Sequence, residues 1–424
     1  MRPDVRIATR RGPRIAAAVA ALGGVLIGGC SSAASSGGTA AGSPVGSSAS
    51  QGATVNIGII GQFSGTLASS FGGEPTVLKA WADAVNAEGG LNGEKVNVIA
   101  EDTAVGTEPG LSDAKTLIDS DHVVAIINTD EAPDDSTWLP YAQAQQVPVI
   151  TASNGEGSLS DPLSFPVEPS TEQAVWAFLD AAKTVGQKFG VAYCSEEAVC
   201  AGCGKLFQAV APEMSIQVPV SVAVSSSAPD YTSVCQDLSA VNSYYLGVAS
   251  ATAKRVQDTC YQQGVKVPQI LTTGTAAPYW KTDPAFAGSL VVDGTAPYFS
   301  TATPAGREYR DALAKYAPSI VNSSTDNSAS MLAWVSGQLI KTAAGAAGGT
   351  VTAASLIKGL YSLHDETLGG LVQPLTFVKG TPTWLACSFL WKIGPGNKFE
   401  IPASNKPQCA PSTVLDPIIK QVVK

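Results

Sequence analysis

The stretch TVNIGIIG, residues 54–61, decides the fold because it is a short run rich in β-branched residues that ends in glycine. The segment PTVLKAWADAVNAEGG, residues 75–90, follows it and places Val77, Leu78 and Trp81 on one face at helical spacing. A strand that leads directly into a helix is typical of an α/β domain, and the chain repeats this unit.

The repeats form two series. In the first series, strands are predicted at 95–102, 123–129 and 147–151, and helices at 108–120, 134–146 and 171–185. In the second, strands are predicted at 189–194, 216–224, 244–250 and 268–274, and helices at 202–211, 231–241 and 253–264. Helices at 306–317, 328–344 and 353–362 and a hairpin at 383–402, turning at 394–397, complete the chain. Alternating strands and helices imply parallel sheets covered on both faces, so two series predict two α/β lobes.

The amino terminus has the pattern of an export signal. Five arginines and one aspartate precede a run of fifteen uncharged residues, 15–29. Cys30 follows this run directly, in the sequence IGGC. The run is shorter than the roughly 20 residues of a membrane-spanning helix. Arg10 and Arg11 leave twin-arginine export open beside ordinary secretion. IGGC resembles a bacterial lipobox, which implies cleavage after residue 29 and acylation of Cys30, with the lipid bilayer as anchor.

Residues 31–53 consist almost entirely of Ser, Ala, Gly and Thr, too few large apolar groups to order a chain. We therefore expect a flexible tether between Cys30 and the folded part.

Charge excludes one class of partner. The chain carries 26 Lys and Arg against 35 Asp and Glu. Without residues 1–29 it keeps 21 basic and 34 acidic residues, a balance of −13, so a nucleic acid is not an expected partner. Seven cysteines besides Cys30 accompany only two histidines without metal-ligand spacing, which predicts disulfides rather than a metal site.

Motifs for catalysis and cofactor binding are absent from the sequence. It contains no G-x-S-x-G elbow and no G-x-x-x-x-G-K-[ST] phosphate loop, and GIIGQFSG lacks the G-x-G-x-x-G spacing of a dinucleotide site. His122 and His364 are predicted on the surface, and Trp138 and Trp334 in apolar packing. We expect neither an enzyme nor a cofactor.

Several segments together resemble a known family. VNIGIIGQFSG at 55–65 and AVNAEGGLNGEKVNVIAED at 84–102 carry the most specific part, supported by VVAIIN, VPVITAS, DYTSVCQDL and TCYQQGVK. They resemble the branched-chain amino acid-binding class of type I periplasmic binding proteins, in particular actinobacterial lipoproteins of that class.

This resemblance implies two Rossmann-like lobes joined by three crossovers, here near FPVEPS, GTAPYFS and LVQPLTF. It also implies that the ligand binds in the cleft between the lobes and is delivered to an ABC permease. We expect a monomer that is held at the outer face of the cell membrane. The domain bounds follow as a signal at 1–29, a lipidated cysteine and tether at 30–53, an amino-terminal lobe at 54–168 with 298–370, and a carboxy-terminal lobe at 169–297 with 371–424.

Candidate ligand-binding residues lie at the carboxyl ends of the predicted strands, where parallel sheets bind ligands. They are Ser64, Phe71, Asp130, Glu131, Ser153 and Asn154 in the first lobe and Tyr193, Ser250 and Thr273 in the second. Each has a simpler interpretation. Ser64 can shape a turn, Tyr193 can be part of the core, and Asp134 or Asp135 fits the N-cap of the next helix better than a ligand contact.

The family relatives also imply the disulfides. Local pairing in these relatives gives Cys194–Cys200 and Cys235–Cys260, and the terminal hairpin supplies Cys387–Cys409. Cys203 has no counterpart and is predicted to stay a buried thiol.

The ligand is expected to differ from that of amino acid-binding relatives, which use hydroxyls after the third strand and an acid in the second lobe. Here Asp130 and Glu131 follow the third strand, and the second-lobe loop TTGTAAP carries no acid. If Asp130 and Glu131 face the cleft, like-charge repulsion disfavours a carboxylate, and a neutral or cationic amide, amine or polyol-like solute is predicted. The alternative is that both side chains point to solvent.

Two other functions stay open at this point. The same fold, two lobes that close on a ligand in the cleft, also serves in ligand-sensing receptors that signal to a membrane kinase or regulator. A plain adhesive lipoprotein is the third possibility.

Overall fold

The computed structural model of the protein describes residues 54–104, 110–129, 135–151, 161–196, 198–402 and 405–414. All of these belong to one unit, Ala49–Lys424. The predicted signal, Cys30, the tether and the candidate residues Asp130, Glu131, Ser153 and Asn154 lie outside the described residues.

The strands and helices follow the predicted alternation. The strands are β1 (Thr54–Gly61), β2 (Lys95–Asp102), β3 (Ala125–Asn128), β4 (Val149–Thr151), β5 (Ser164–Pro166), β6 (Lys188–Cys194), β7 (Gln217–Val224), β8 (Ser243–Gly247), β9 (Gln269–Leu271), β10 (Leu290–Asp293), β11 (Cys387–Ile393), β12 (Phe399–Glu400) and β13 (Gln408–Cys409). The helices are α1 (Ala68–Phe71), α2 (Glu74–Ala87), α3 (Gly110–Lys115), α4 (Asp135–Ala144), α5 (Thr171–Lys183), α6 (Ala198–Val210), α7 (Thr232–Leu238), α8 (Ser250–Gln262), α9 (Pro304–Tyr316), α10 (Ser328–Ala347) and α11 (Ala353–Leu360).

The first sheet has the strand order β2-β1-β3-β4-β5, and all of its pairs are parallel. Its central strands are apolar because helices cover both faces, so Ile57 and Ile59 of β1 are fully buried. Helix α2 packs on β2, and α9 and α10 pack on α2. We call this sheet with α1 to α4 and α9 to α11 the first lobe.

Helix α10 approaches α2 closely at Gly337. A Cβ atom at this position would lie 2.5 Å from Cδ2 of the buried Trp81, so only glycine fits without a shift. The contact fixes the last helices of the chain to the first lobe.

The second sheet has the order β12-β11-β10-β9-β8-β6-β7, with β13 paired to β11. Strands β6 to β10 are parallel, whereas β11 and its partners run antiparallel, as the predicted terminal hairpin requires. Helix α5 contacts β8 to β11, and α6 packs on β6 and β7. We call this sheet with α5 to α8 the second lobe.

The chain passes between the lobes three times. These crossovers lie between β5 and α5, between β10 and α9, and between α11 and β11, where the three predicted segments are found. The predicted α/β fold with two lobes and three crossovers is confirmed. The exact domain bounds stay a prediction.

Some predicted elements were wrong in extent. The helix expected at 108–120 is α3 followed by a π-helical segment, Thr116–Ser120. The helix expected from Gly202 begins at Ala198. Gly202 lies inside it because packing of the apolar helix face outweighs the roughly 1 kcal/mol cost of an internal glycine. Strands β5 and β10 were missed, and most of β5 lies in FPVEPS, which was assigned to a crossover.

Disulfides join Cys194 to Cys200, Cys235 to Cys260, and Cys387 to Cys409, the pairs that the resemblance implied. Among the described cysteines, Cys203 is the one that stays a buried thiol. Trp138 and Trp334 are fully buried, and His122 and His364 are exposed, as predicted. None of the described helices has the length and apolar composition that a bilayer crossing requires.

Candidate functional site

A cavity of about 210 Å³ lies between the two lobes. Its wall comes from the segments that follow β1, β3, β6, β8, β9 and β10, and from the first crossover. Carboxyl ends of parallel strands are where open α/β sheets bind ligands, so its position is the expected one. A volume below the roughly 300 Å³ of ordinary ligand pockets fits a small solute.

The predicted site residues have different positions relative to this cavity. Phe71 and Thr273 line it, whereas Ser64 and Tyr193 are not among its described lining residues. Ser64 is exposed and makes no side-chain capping hydrogen bond, and Tyr193 lies beside Gly204 of α6. A ligand role for these two residues stays a prediction.

Ser250 lies at the amino terminus of α8, where the two lobes meet. Its N–H donates to Oγ of Ser70 at 3.1 Å, and the N–H of Ala251 donates to Oγ of Ser69 at 3.2 Å. Both serines are in α1 of the first lobe. The first N–H groups of a helix have no partner within it, so hydroxyls from the opposite lobe satisfy two of them here.

A second contact between the lobes surrounds Gly274, in the loop after β9. Its N–H donates to Oγ of Ser328 at 3.1 Å, and its carbonyl oxygen accepts a longer hydrogen bond of 3.5 Å from Nδ2 of the N-cap residue Asn327. The same Nδ2 donates at 2.9 Å to the carbonyl oxygen of Ser70 within the first lobe. Gly274 has a φ of +75°, and a Cβ there would lie 3.2 Å from Cβ of Ala329. The close approach of the two lobes therefore requires glycine. We call this arrangement, in which hydrogen bonds join the two lobes, the closed form.

Two buried carboxyl groups line the cavity where the first two crossovers meet. Glu168 accepts a hydrogen bond from Oγ1 of Thr273 at 3.0 Å, and Asp293 accepts one from Nε1 of Trp391 at 2.5 Å. The predicted second-lobe loop thus does have an acidic neighbour, which the crossover supplies rather than the loop itself.

Burial controls the protonation of both groups. It raises the pKa of Glu168 well above its ordinary value; the hydrogen bond from Thr273 opposes this rise and the nearby Asp293 adds to it. Burial also raises the pKa of Asp293 to about 6, although hydrogen bonds from Trp391 and from hydroxyl groups act to lower it. Both side chains therefore favour the neutral form more than an exposed acid does.

Glu196, at the edge of the cavity, behaves in the opposite way. Partial burial acts to raise its pKa, but hydrogen bonds outweigh burial and lower it. The N–H of Ser226 donates to its Oε1 at 2.5 Å, and the hydroxyl of Ser225 donates to the same atom at 3.3 Å. This carboxylate stays ionised.

The remaining wall is rich in hydroxyl groups and contains aromatic rings. The lining hydroxyl residues include Thr66, Thr129, Ser170, Thr252, Thr272 and Thr275, and the rings are those of Phe71, Phe178 and Tyr245. No Lys, Arg or His occurs among the described lining residues. Such a wall can hold a small polar solute by hydrogen bonds and apolar contact.

Sequence reasoning missed Glu168 and Asp293. Both follow short apolar segments, FPV and LVV, that proved to be buried. An acid directly after such a segment was the signal that could have identified them. In the part of the chain that the structure describes, no group of three or more His, Cys, Asp or Glu side chains could hold a metal ion.

Comparisons with known proteins agree with this architecture. The sequence model of a family described as periplasmic binding protein matches residues 54–390. An ABC transporter substrate-binding protein from Aeropyrum pernix is 17% identical with a TM-score of 0.75, over 88% of this chain and 100% of that one. A branched-chain amino acid ABC transporter from Thermus thermophilus with bound valine is 14% identical with a TM-score of 0.74, over 86% and 98%.

A fatty acid ABC transporter substrate-binding protein from Thermomonospora curvata is also similar, at 17% identity and a TM-score of 0.67, over 86% of this chain and 94% of that one. No curated protein sequence matches the chain significantly. At these identities the solved structures establish the fold.

Proposed function

Because the chain belongs to the periplasmic binding protein family, we propose that it is an extracytoplasmic binding protein that closes on a small polar solute and delivers it to an ABC permease. The named structures come from ABC transporters, which supports delivery to a permease. The proposal assigns no reaction and no cofactor to the chain.

The observation that carries the proposal is the cavity enclosed by both lobes. Residues of the first lobe, such as Phe71, and of the second, such as Thr252, line the same space of about 210 Å³. A ligand there contacts both lobes at once and so favours the closed form over the open one, as a differential affinity requires. The small volume and the many hydroxyl groups favour an amino acid-sized solute over a fatty acid.

Anchoring is the second part of the proposal. The sequence of residues 1–53 supports an exported chain that is cleaved after residue 29, acylated on Cys30 and held at the outer face of the membrane by a flexible tether. A monomer is sufficient for this role, because one chain supplies both walls of the cavity.

The solute class follows from charge. The resemblance supports the branched-chain amino acid type of uptake system, but acids line the described cavity and no base does. A neutral or cationic solute such as an amide, an amine or a polyol therefore fits better than leucine, whether or not Asp130 and Glu131 also face the cleft.

Thermal unfolding in the presence of solutes tests the proposal. The full-length protein in mild detergent is heated alone and with single amines, amides, polyols and amino acids. A binding solute should raise the melting temperature in proportion to the logarithm of its concentration above Kd. If no compound in these classes raises it, the chain is not a binding protein for small polar solutes.

A further inference from the structure

Glu168 and Asp293 form a pair of buried carboxyl groups on one side of the cavity. Glu168 is 7% exposed and Asp293 is 1% exposed, and both line the cavity. Neither forms an ion pair with a Lys or Arg among the described residues. Buried carboxyl groups without a counter-charge are costly when ionised, so a cation bound in the cavity would stabilise their ionised form.

One oxygen of the pair is incompletely hydrogen-bonded. Oδ2 of Asp293 accepts the hydrogen bond from Trp391, whereas Oδ1 has no donor in full hydrogen-bond geometry among the described residues, although the hydroxyl groups of Ser328 and Thr273 lie near this carboxyl group. Buried polar atoms are almost always hydrogen-bonded, and a bound water or ion is one explanation of the exceptions. This oxygen can therefore accept a further hydrogen bond from a donor in the cavity.

The remaining surroundings do not supply a cation either. Tyr298 has a pKa well above its ordinary value because it is buried, so it is neutral, and the nearby Arg310 is bound to Asp326 at 2.5 Å. The other groups that face the carboxyl pair carry no charge and are Thr273 after β9, the backbone of Gly294 after β10, Ser328 at the start of α10, and Trp391 in β11.

The cavity offers little to a carboxylate. At the amino terminus of α8, next to the cavity, the N–H groups of Ser250 and Ala251 already donate to Ser70 and Ser69 of the opposite lobe, so they are not open to an anion in this arrangement. Glu196 adds a third acid at the cavity edge, and it stays ionised. A zwitterionic amino acid would place its negative end near these three acids, with neutral hydroxyl donors and no Lys, Arg or His among the described lining residues to balance its charge.

We propose that Glu168 and Asp293 bind a cationic nitrogen, and that the solute is a small organic amine without a carboxylate. The inference rests on the proposed solute-binding function and names the solute class of the same cavity. An ammonium group has three donors, and Glu168 and Asp293 line the same cavity close enough for Asp293 to raise the pKa of Glu168. Metal ions are less suited, because no described cluster has the ligands to hold one.

Titration calorimetry with three matched compounds tests this inference. The probes are 3-methylbutylamine, 3-methylbutan-1-ol and leucine, which share one branched chain and differ in charge. With full-length protein in mild detergent at pH 8, we expect the amine to bind on the order of 10- to 100-fold more tightly than the alcohol or leucine. At pH 5 the amine should bind more weakly, because Asp293, with a pKa of about 6, is then mostly neutral.

The variants Glu168→Gln and Asp293→Asn keep side-chain oxygens that can accept the hydrogen bonds from Thr273 and Trp391 but lose the negative charge. Each should weaken amine binding on the order of 10- to 100-fold and leave alcohol binding unchanged. Asp161→Asn is the matched control, because Asp161 is also a buried carboxyl group with a raised pKa and does not line the cavity. It should leave amine binding unchanged.

Three results would overturn the inference while the proposed function stands: equal binding of alcohol and amine, tighter binding of leucine, or amine binding that both charge-removing variants leave intact. If none of the three probes binds and no other small polar solute raises the melting temperature, the proposed function fails together with the inference.

Discussion

Oγ of Ser70 accepts a hydrogen bond of 3.1 Å from the N–H of Ser250, and this contact joins helix α1 of the first lobe to the amino terminus of α8 in the second. Ser69 makes the parallel contact to Ala251 at 3.2 Å. In ordinary N-caps the hydroxyl comes from the helix's own chain segment, and its removal costs about 1 kcal/mol. Here the capping hydroxyls lie in the opposite lobe, so they cap α8 only in the closed form.

The double variant Ser69→Ala/Ser70→Ala should therefore favour the open form. We expect the amides of Ser250 and Ala251 to exchange with solvent on the order of tenfold faster, because two hydrogen bonds of about 1 kcal/mol each are lost. Hydrogen exchange followed by mass spectrometry of the α8 peptide measures this.

Ser64→Ala is the control for that experiment, since Ser64 lies in the same loop region, is exposed and makes no capping hydrogen bond. It should leave exchange in α8 unchanged. Equal protection of α8 in the double variant and the wild type would show that the serines do not hold the lobes together.

The pKa of Asp293, about 6, predicts an unusual dependence of stability on pH. The folded protein binds this proton more tightly than the unfolded chain, so stability from this group is present at low pH and is lost as pH rises from about 4 to above 6. The loss is about 3 kcal/mol in the protein without solute. Urea unfolding at pH 4 to 8 measures it, and Asp293→Asn should flatten the curve.

Glu196 should affect the pH dependence of stability in the opposite direction to Asp293, because hydrogen bonds lower its pKa in the folded protein. Its contribution is present at neutral pH and is lost as pH falls. Glu196→Gln should therefore reduce stability at neutral pH more than at pH 4. A stability curve that Asp293→Asn leaves unchanged would show that burial does not raise the pKa of this carboxyl group.

The disulfide Cys235–Cys260 should be the main covalent support of the second lobe. It joins α7 to α8 across a sequence separation of 25, and both cysteines are buried. Replacing both by Ala removes the constraint on the unfolded chain and should lower the free energy of unfolding by about 3 kcal/mol. Urea unfolding of the oxidised protein checks this value.

Cys203→Ala is the matched control, because it removes one buried thiol but no disulfide. We expect a loss of about 1 kcal/mol for the small cavity that it leaves. Equal losses in the two variants would mean that the disulfide contributes little beyond its packing.

Cys30→Ala should release the protein from the membrane without changing its fold or its solute affinity. Cys30 is separated from β1 by residues 31–53, and acyl chains supply the proposed anchor. Membrane fractionation of cells measures the distribution, with Cys203→Ala expected to stay membrane-bound. Retention of Cys30→Ala in membranes after residues 1–29 have been removed would contradict lipidation.

Local sequence patterns predicted most of the fold, because central strands such as β1 are nearly continuous apolar runs and outer strands such as β2 alternate between apolar and polar residues. The run at Thr54–Gly61 is β1 with the predicted bounds, and Lys95–Asp102 is β2. Strand β10 was missed because it follows 3₁₀ helices rather than an α-helix, so the alternation of strands and helices that identifies strands fails there.

The site was less predictable because it depends on contacts between distant segments. Phe71 and Thr273 could be identified as residues near strand ends, and both line the cavity. Glu168 comes within 3.0 Å of Thr273 across 105 residues of sequence, a separation over which no periodic pattern carries information. The capping of α8 by Ser69 and Ser70 was hidden for the same reason.

Uptake of a labelled solute tests the central claim most directly. Cells of the organism that encodes the chain are given radiolabelled 3-methylbutylamine, with the gene intact, deleted, or restored as wild type or as Glu168→Gln. The account predicts saturable uptake that deletion abolishes, that the wild type restores and that Glu168→Gln does not. Equal uptake with and without the chain would contradict a role in import.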